Sequence, residues 1–431
     1  MRKLVFWIWC MFFAVVGQAK DEPVIRVRVI YTLDEIQLQF KAPWTLNQRI
    51  DITDTAYYTM KCAEGKLILK GSQQGTPLQD TLFQAVSAKS DGKLMIRDVP
   101  YGIGWWWAGI ENRTYSGEIE FRINSEQKID VIVCLPVEKY LYGVLPSEMG
   151  GEQPLEALKA QAVAARSETF VALYNGMYRG DYFDICADVD CQVFSGNSHR
   201  TARSDMAVDA TRGMGLFANG RPINAFFASN CGGVSENVEN VWPDRSGPVP
   251  YWSSHIDADT TSKIDLSTEE NVRKWVDGNP HTWCNYHFND SLPAWSQRNF
   301  RWTVETSADS LTAWVNREKN VGKLITLKAL KRGPSGRIIR MAFIGEHDTL
   351  LTTSELSTRM IWKPPLKSSC FYFDTSENPD QGSKYILKGA GWGHGVGMCQ
   401  SGAVGMAQHG KMFMEILNHY FPTAEIKKDY Q

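Results

Sequence analysis

The chain has 431 residues, enough for two or three domains at about 100–200 residues each. Hydrophobic residues make up 43% and charged residues 22%, which fits a folded protein with a sizeable core and excludes a mostly disordered chain. Lys plus Arg number 46 against 48 Asp plus Glu, a formal charge of -2, so the composition lends no support to a nucleic-acid partner.

Met1-Arg2-Lys3 is a basic start, Leu4 to Val16 is apolar, and Gly17-Gln18-Ala19 closes the run with small residues. This is the pattern of a secretory leader over 1–19, and its apolar run is short for a membrane-spanning helix. An uncleaved anchor is the competing reading. Cys10 sits inside the run and not at its end, which argues against a lipoprotein anchor. Cleavage after Ala19 removes Arg2 and Lys3 and leaves 412 residues with a formal charge of -4. No later stretch is apolar over a spanning length, so the expectation is an exported protein: periplasmic, wall-associated or secreted. Eight cysteines follow the leader. An oxidising compartment allows some to pair, and their connectivity does not follow from the sequence.

Residues 24–40 alternate apolar and polar positions twice around Leu33-Asp34-Glu35, which predicts a hairpin with one wet face. Further short strands, such as Lys66 to Leu69 and Ile119 to Ile123, predict a β-rich N-terminal region over 20–130. Trp105-Trp106-Trp107 within it cannot all face one core from a strand. A sugar platform and interdomain packing are the two readings. From 131 to 425 the pattern is mixed, and an insertion is expected at about 245–320. Pro154 to Tyr174 contains six Ala and no Gly, a helix opened by Pro154 and closed by Gly176. Ile223 to Ala228, Leu324 to Leu330 and Ile338 to Ile344 read as strands, and Thr303 to Val321 has helical stretches. Two short helices break at Gly410, the last with a stripe of Met412, Ile416 and Tyr420 before Pro422. The fold class expected is α+β: a β-rich N-terminal region, then a mixed domain around a central scaffold helix.

The chemistry concentrates in a few stretches. Glu148 lies in Pro146-Ser147-Glu148-Met149-Gly150-Gly151, read as a turn before the scaffold helix. Beside Leu145 and Met149 its carboxyl can be desolvated and its pKa raised, as a general acid requires. A capping Glu favoured by the helix dipole is the alternative. Lys159 and Arg166, seven apart, fall within about 20° of one another on that helix, whereas Gln161 projects nearly the opposite way. The two cations either pair with acids, reach a ligand or snorkel. In GAGWGHGVGMCQSGA, Gly389, Gly391, Gly393, Gly395 and Gly397 alternate with larger residues. If extended, the glycines share one side, with Trp392 and His394 on the other. The Gly spacing is not that of a dinucleotide loop, and no Gly-Lys-Ser/Thr follows as in a P-loop. Cys186-x4-Cys191 is half of a tetrahedral zinc site at most; a disulfide, a metal and free thiols all remain open. No Ser/His/Asp order, no His-Glu-x-x-His and no carboxylate-rich metal cluster stands out.

YLYGVLPSEM, EALKAQAVAAR, CQVFSG, FFASNCGG and GAGWGHGVGMCQSGAVGMAQHG, in this order, resemble the SpoIID/LytB family, which includes stage II sporulation protein D and the amidase enhancers. The resemblance is dense over 140–242 and 385–422 and looser over 324–373, where SGRIIRMAFIG resembles a family strand pair. It owes little to the first 130 residues or to 245–320. For the sporulation branch it implies a peptidoglycan lytic transglycosylase. Such an enzyme cuts between N-acetylmuramic acid and N-acetylglucosamine on peptide-stripped glycan strands and leaves 1,6-anhydro ends. It implies Glu148 as the catalytic acid and Lys159, Gln161 and Arg166 as functional residues on the next helix. Gln192, Ser229, Trp392, His394 and Gln400 lie in the matching motifs and are the further candidates for substrate binding. Some members bind zinc near the motif matching Cys186 and Cys191. A His often precedes the second Cys there, and this chain has Asp190 instead. No cofactor is otherwise required. The amidase-enhancer branch implies an alternative: a non-enzymatic modulator that binds wall glycan or a cell-wall amidase and stimulates it.

Overall fold

The computed structural model describes residues 20–431 except 42, 72–75, 90, 106, 245–247, 261, 263 and 379–381. The expected leader and Trp106 therefore lie outside the described residues. The fold is mixed α+β: among the described residues, half of the strands and none of the helices lie before residue 137.

The N-terminal region forms two sheets facing one core. One sheet runs, in spatial order, Ile185–Cys186, Val24–Leu33, Ile129–Pro136, Glu118–Ile123, Leu82–Ser87, Trp44–Leu46, Ile50–Ile52. The other runs Gly109–Tyr115, Leu94–Tyr101, Glu35–Phe40, Tyr57–Ala63, Lys66–Gly71, Leu78–Asp80. The predicted hairpin is not formed. Val24–Leu33 and Glu35–Phe40 are both strands, but the first pairs antiparallel with Ile129–Pro136 and the second with Tyr57–Ala63 and Leu94–Tyr101. Thr32 takes a left-handed φ of 65° at the corner, and the chain crosses between sheets there. The alternation was real, because Ile25, Val27, Leu38 and Phe40 are all buried. Period-two patterning sets which face is buried; it does not choose the partner strand.

Ile129–Pro136 runs directly into the helix Val137–Met149, here the Glu148 helix. Next comes the scaffold helix, Leu155–Asn175. Pro154 caps it from outside the first turn, and Gly176 closes it at a left-handed φ of 66°. It is buried on nearly every side, and its alanines let four neighbouring helices approach closely. One hydrophobic cluster continues from Ile25 and Val133 through Leu141 and Val163 to Met398 and Val404, so the sheets and the helices share a core.

Further along, Thr303 to Val321 divides. Arg301–Ser307 is a strand paired with Gly382–Ala390, and only Ala308–Glu318 is helical, opened by Ser307 accepting the Ser310 N–H. Of Ile223 to Ala228, only Phe227–Ala228 is paired, in parallel with Met398–Cys399. Leu324–Arg332 and Ile338–Gly345 are antiparallel neighbours. The last two helices are Gln400–Gln408, here the ribbon helix, and Phe413–Tyr420. Ile416 and Tyr420 are buried, whereas Met412 stands outside the helix and is exposed.

The glycine ribbon is not extended. Gly391, Gly393, Gly395 and Gly397 all take positive φ, between 71° and 99°, so they do not share one bare side as a strand would require. Each approaches something no side chain could: a Cβ on Gly397 would lie 2.1 Å from the Phe226 carbonyl oxygen, and one on Gly395 2.5 Å from the Arg337 guanidinium carbon.

Candidate functional site around Glu148

Glu148 occupies the last turn of its helix and not a turn before the scaffold helix. Gly150 follows it as the cap, and Pro146 sits inside the helix. The carboxyl is half-buried among apolar neighbours from the shared core. Burial pushes its pKa from 4.5 up to about 7, against two hydrogen bonds that favour the charged form. The stronger is the backbone N–H of Val193, 2.7 Å from Oε1; the Gln400 side chain, itself bonded to Gln161, is the weaker influence. Among the described residues, no second carboxylate and neither scaffold-helix cation is among the groups that shift it.

Each partner is delivered by a separate motif. Val193 lies in CQVFSG, which rests directly on the Glu148 helix. Gly143 makes that possible: a Cβ there would fall 2.4 Å from the Gly196 carbonyl oxygen and 2.5 Å from the Phe194 ring. Phe194 packs on Tyr140, with ring centroids 5.0 Å apart. Gln400 is the first residue of the ribbon helix, whose start is held by Ser401 donating N–H (3.0 Å) and Oγ–H (2.7 Å) to the Ser229 carbonyl. Gln400 also donates to Gln161 Oε1 of the scaffold helix at 3.3 Å. The structure thus joins Glu148, Gln400 and Gln161. Gln192, next to Val193, turns into the protein and donates to the Ala165 carbonyl at 3.2 Å. Tyr140 Oη, Gln161 Nε2 and Gln192 Oε1 are buried with no hydrogen-bond partner among the described residues.

Arg166 and Lys159 are committed to other acids. Arg166 is fully buried and grips Glu138 with Nε at 3.0 Å and Nη2 at 2.6 Å. Glu138 further accepts the Gly213 N–H at 2.9 Å and the Tyr430 hydroxyl at 2.5 Å. Burial alone would raise the Glu138 pKa, but Arg166 and these donors outweigh it and hold the carboxyl below the ordinary range. Lys159 pairs with Glu156 at 2.7 Å. Both scaffold-helix cations are therefore held by other acids, and the opposite face of that helix, through Gln161, reaches the site. Ser229 Oγ accepts from Asn299 at 3.1 Å. Trp392 exchanges backbone hydrogen bonds with Asn230, and the His394 ring lies 5.0 Å from that of Trp242. Two cavities, one beside Lys139 and Phe194 and one between Trp275 and Trp283, are not lined by Glu148.

Cys186 and Cys191 do not fit zinc. Their sulfurs are 2.6 Å apart, closer than the roughly 3.8 Å edge of a tetrahedral zinc–thiolate site. Among the described residues, no group of three or more His, Cys, Asp or Glu donors includes the pair. Asp190, standing where a His ligand would be expected, is exposed.

Sequence reasoning missed the Val193 amide, because a backbone N–H carries no residue signature. It missed Glu138 as the Arg166 partner, although an acid in the first turn of a helix next to a buried cation was a usable signal.

The site is thus one half-buried acid with a raised pKa at a helix end, beside a backbone amide and two glutamines on a mixed α+β scaffold. Residues 125–217 match the family described as stage II sporulation protein, SpoIID, and residues 236–397 match a domain of unknown function, DUF8618. An uncharacterized protein of Brachyspira hyodysenteriae is 26% identical over 412 residues, covering 94% of this chain and 93% of that one. The amidase enhancer of Bacillus subtilis is 31% identical over 302 residues, 65% of this chain and 39% of that protein. Stage II sporulation protein D of Bacillus amyloliquefaciens is 27% identical over 311 residues, 68% of this chain and 75% of that one. Residues 125–217 thus match a SpoIID domain, and the chain is similar to members of the SpoIID/LytB family.

Proposed function

We propose that the protein is an exported peptidoglycan lytic transglycosylase with Glu148 as its single acid and base. The observation that carries this reading is a carboxyl raised to about 7 with, among the described residues, no second carboxylate shifting it. A hydrolytic glycosidase needs two carboxyl groups, one for the leaving oxygen and one for water or a covalent intermediate. A transglycosylase needs one. Protonated Glu148 gives its proton to the oxygen between N-acetylmuramic acid and N-acetylglucosamine as the bond breaks. The resulting carboxylate then takes the proton of the muramic C6 hydroxyl, whose oxygen closes the 1,6-anhydro ring. The Val193 N–H and Gln400 stabilise Glu148 while it is charged. Gln161 positions Gln400. Ser229 holds the ribbon helix, while Trp392 and His394 line the same ribbon as candidate sugar contacts. Peptide-stripped strands are the substrate proposed.

The test is mass spectrometry of peptide-free glycan strands after incubation with the purified protein. Anhydro ends are expected, and they vanish in Glu148→Gln. The similarity to an amidase enhancer favours a second reading, a modulator that binds glycan and stimulates a cell-wall amidase. Intact strands together with faster amidase turnover would establish that reading and overturn the first.

A further inference from the structure

Cys231, Cys284 and Cys399 come from three distant parts of the chain: the FFASNCGG turn, the segment around 245–320, and the residue just before the ribbon helix. In the fold they converge with Asp257. All four are buried, and their three sulfurs and one carboxylate oxygen lie within 4.8 Å of one another. We propose that these four residues form a structural zinc site.

Spacing is the first argument. Cys231 Sγ and Cys284 Sγ are 3.7 Å apart. Two thiolates at about 2.3 Å from one tetrahedral zinc ion sit about 3.8 Å apart, whereas a disulfide needs about 2.05 Å. Three sulfurs also cannot all be satisfied by pairing with one another.

Polarity is the second. Two of the three sulfurs face N–H donors, as thiolates do. Cys399 Sγ accepts from the Cys231 N–H at 3.2 Å and the Gly402 N–H at 3.3 Å, and Cys231 Sγ accepts from the Gly233 N–H at 3.4 Å. Cys399 also stands at the N-terminus of the ribbon helix, where the dipole favours negative charge. The backbone around Cys231 is braced by two guanidinium groups: Arg337 donates to the Cys231 carbonyl and Arg301 to the Gly232 carbonyl.

The third argument is the outer shell. Asp257 is oriented by the Tyr420 hydroxyl at 2.6 Å and the Cys284 N–H at 3.0 Å, leaving lone pairs for a metal. Gly402 admits this arrangement, since a Cβ there would lie 2.5 Å from Asp257 Oδ1. Three soft sulfurs and one carboxylate suit zinc better than magnesium or calcium. The site is closed by four protein ligands, as structural zinc sites are. Its consequence lies one residue away: Cys399 precedes Gln400, so the ion fixes the start of the helix whose first side chain reaches Glu148. The proposal does not depend on Glu148 cleaving glycan.

The test uses the full mature chain carrying Cys186→Ser and Cys191→Ser, so that the other thiol pair cannot contribute. Inductively coupled plasma mass spectrometry is expected to find about one zinc per chain. Asp257→Asn lowers the content and Cys284→Ser abolishes it. If Cys284→Ser fails to fold, the parent protein is stripped with a chelator under reducing conditions and refilled with Co²⁺. A thiolate-to-cobalt charge-transfer band with tetrahedral visible bands is then expected. A protein without zinc that also fails to give those bands overturns the proposal. So does a peptide map showing a disulfide between any two of Cys231, Cys284 and Cys399.

Discussion

Glu148→Gln separates the chemistry of the carboxyl from its cost to the fold. With a pKa of 4.5 in the unfolded chain and about 7 in the folded one, the group binds its proton more tightly when folded. Below pH 4.5 it is protonated in both states and contributes no penalty. As the pH rises from 4.5 to about 7 the unfolded chain releases the proton while the folded chain retains it, so stability falls across that window and levels off above it. At about 1.36 kcal/mol per pH unit, the penalty at pH 8 comes to about 3 kcal/mol. Gln cannot ionise, and its carbonyl oxygen can still accept the Val193 N–H. The variant should therefore match the parent at pH 4 and exceed it by about 3 kcal/mol at pH 8, while yielding no anhydro ends. Urea unfolding of both proteins across this range measures the difference and cancels every group they share. A difference that is the same at pH 4 and pH 8, or a parent more stable than the variant at pH 8, would refute the reasoning.

The same proton sets the activity profile: glycan cleavage should fall on the alkaline side with a midpoint near 7, as Glu148 ionises, measured as kcat/KM against pH. Gln400→Ala removes a hydrogen bond to the charged form and should move that limb up by about one pH unit. Gly143→Ala forces CQVFSG off the Glu148 helix; it should cost about 1–3 kcal/mol in urea unfolding and shift the alkaline limb the same way by loosening the Val193 contact. Arg166→Met leaves Glu138 buried without its cation and should destabilise by about 3–5 kcal/mol. Lys159→Ala, at a helix-surface pair, should cost about 0.5 kcal/mol; thermal and urea unfolding distinguish the two.

What the sequence determined was local. Alternation in 24–40 marked which side chains are buried, and the alanine-rich run with its terminal Pro and Gly marked the scaffold helix to within a residue. The order of five motifs carried the family, and Leu145 and Met149 beside Glu148 were enough to suggest a desolvated acid. Tertiary structure decided everything that depends on a partner far along the chain. Val24–Leu33 joins Ile129–Pro136 and not its neighbour, because a strand's face is encoded in its own residues but its pairing is not. Gln161 and not Arg166 turns toward Glu148, because Glu138 claims the guanidinium first. Three cysteines spread from 231 to 399 meet one aspartate, because loop closure brings together donors whose spacing in sequence has no regularity to read.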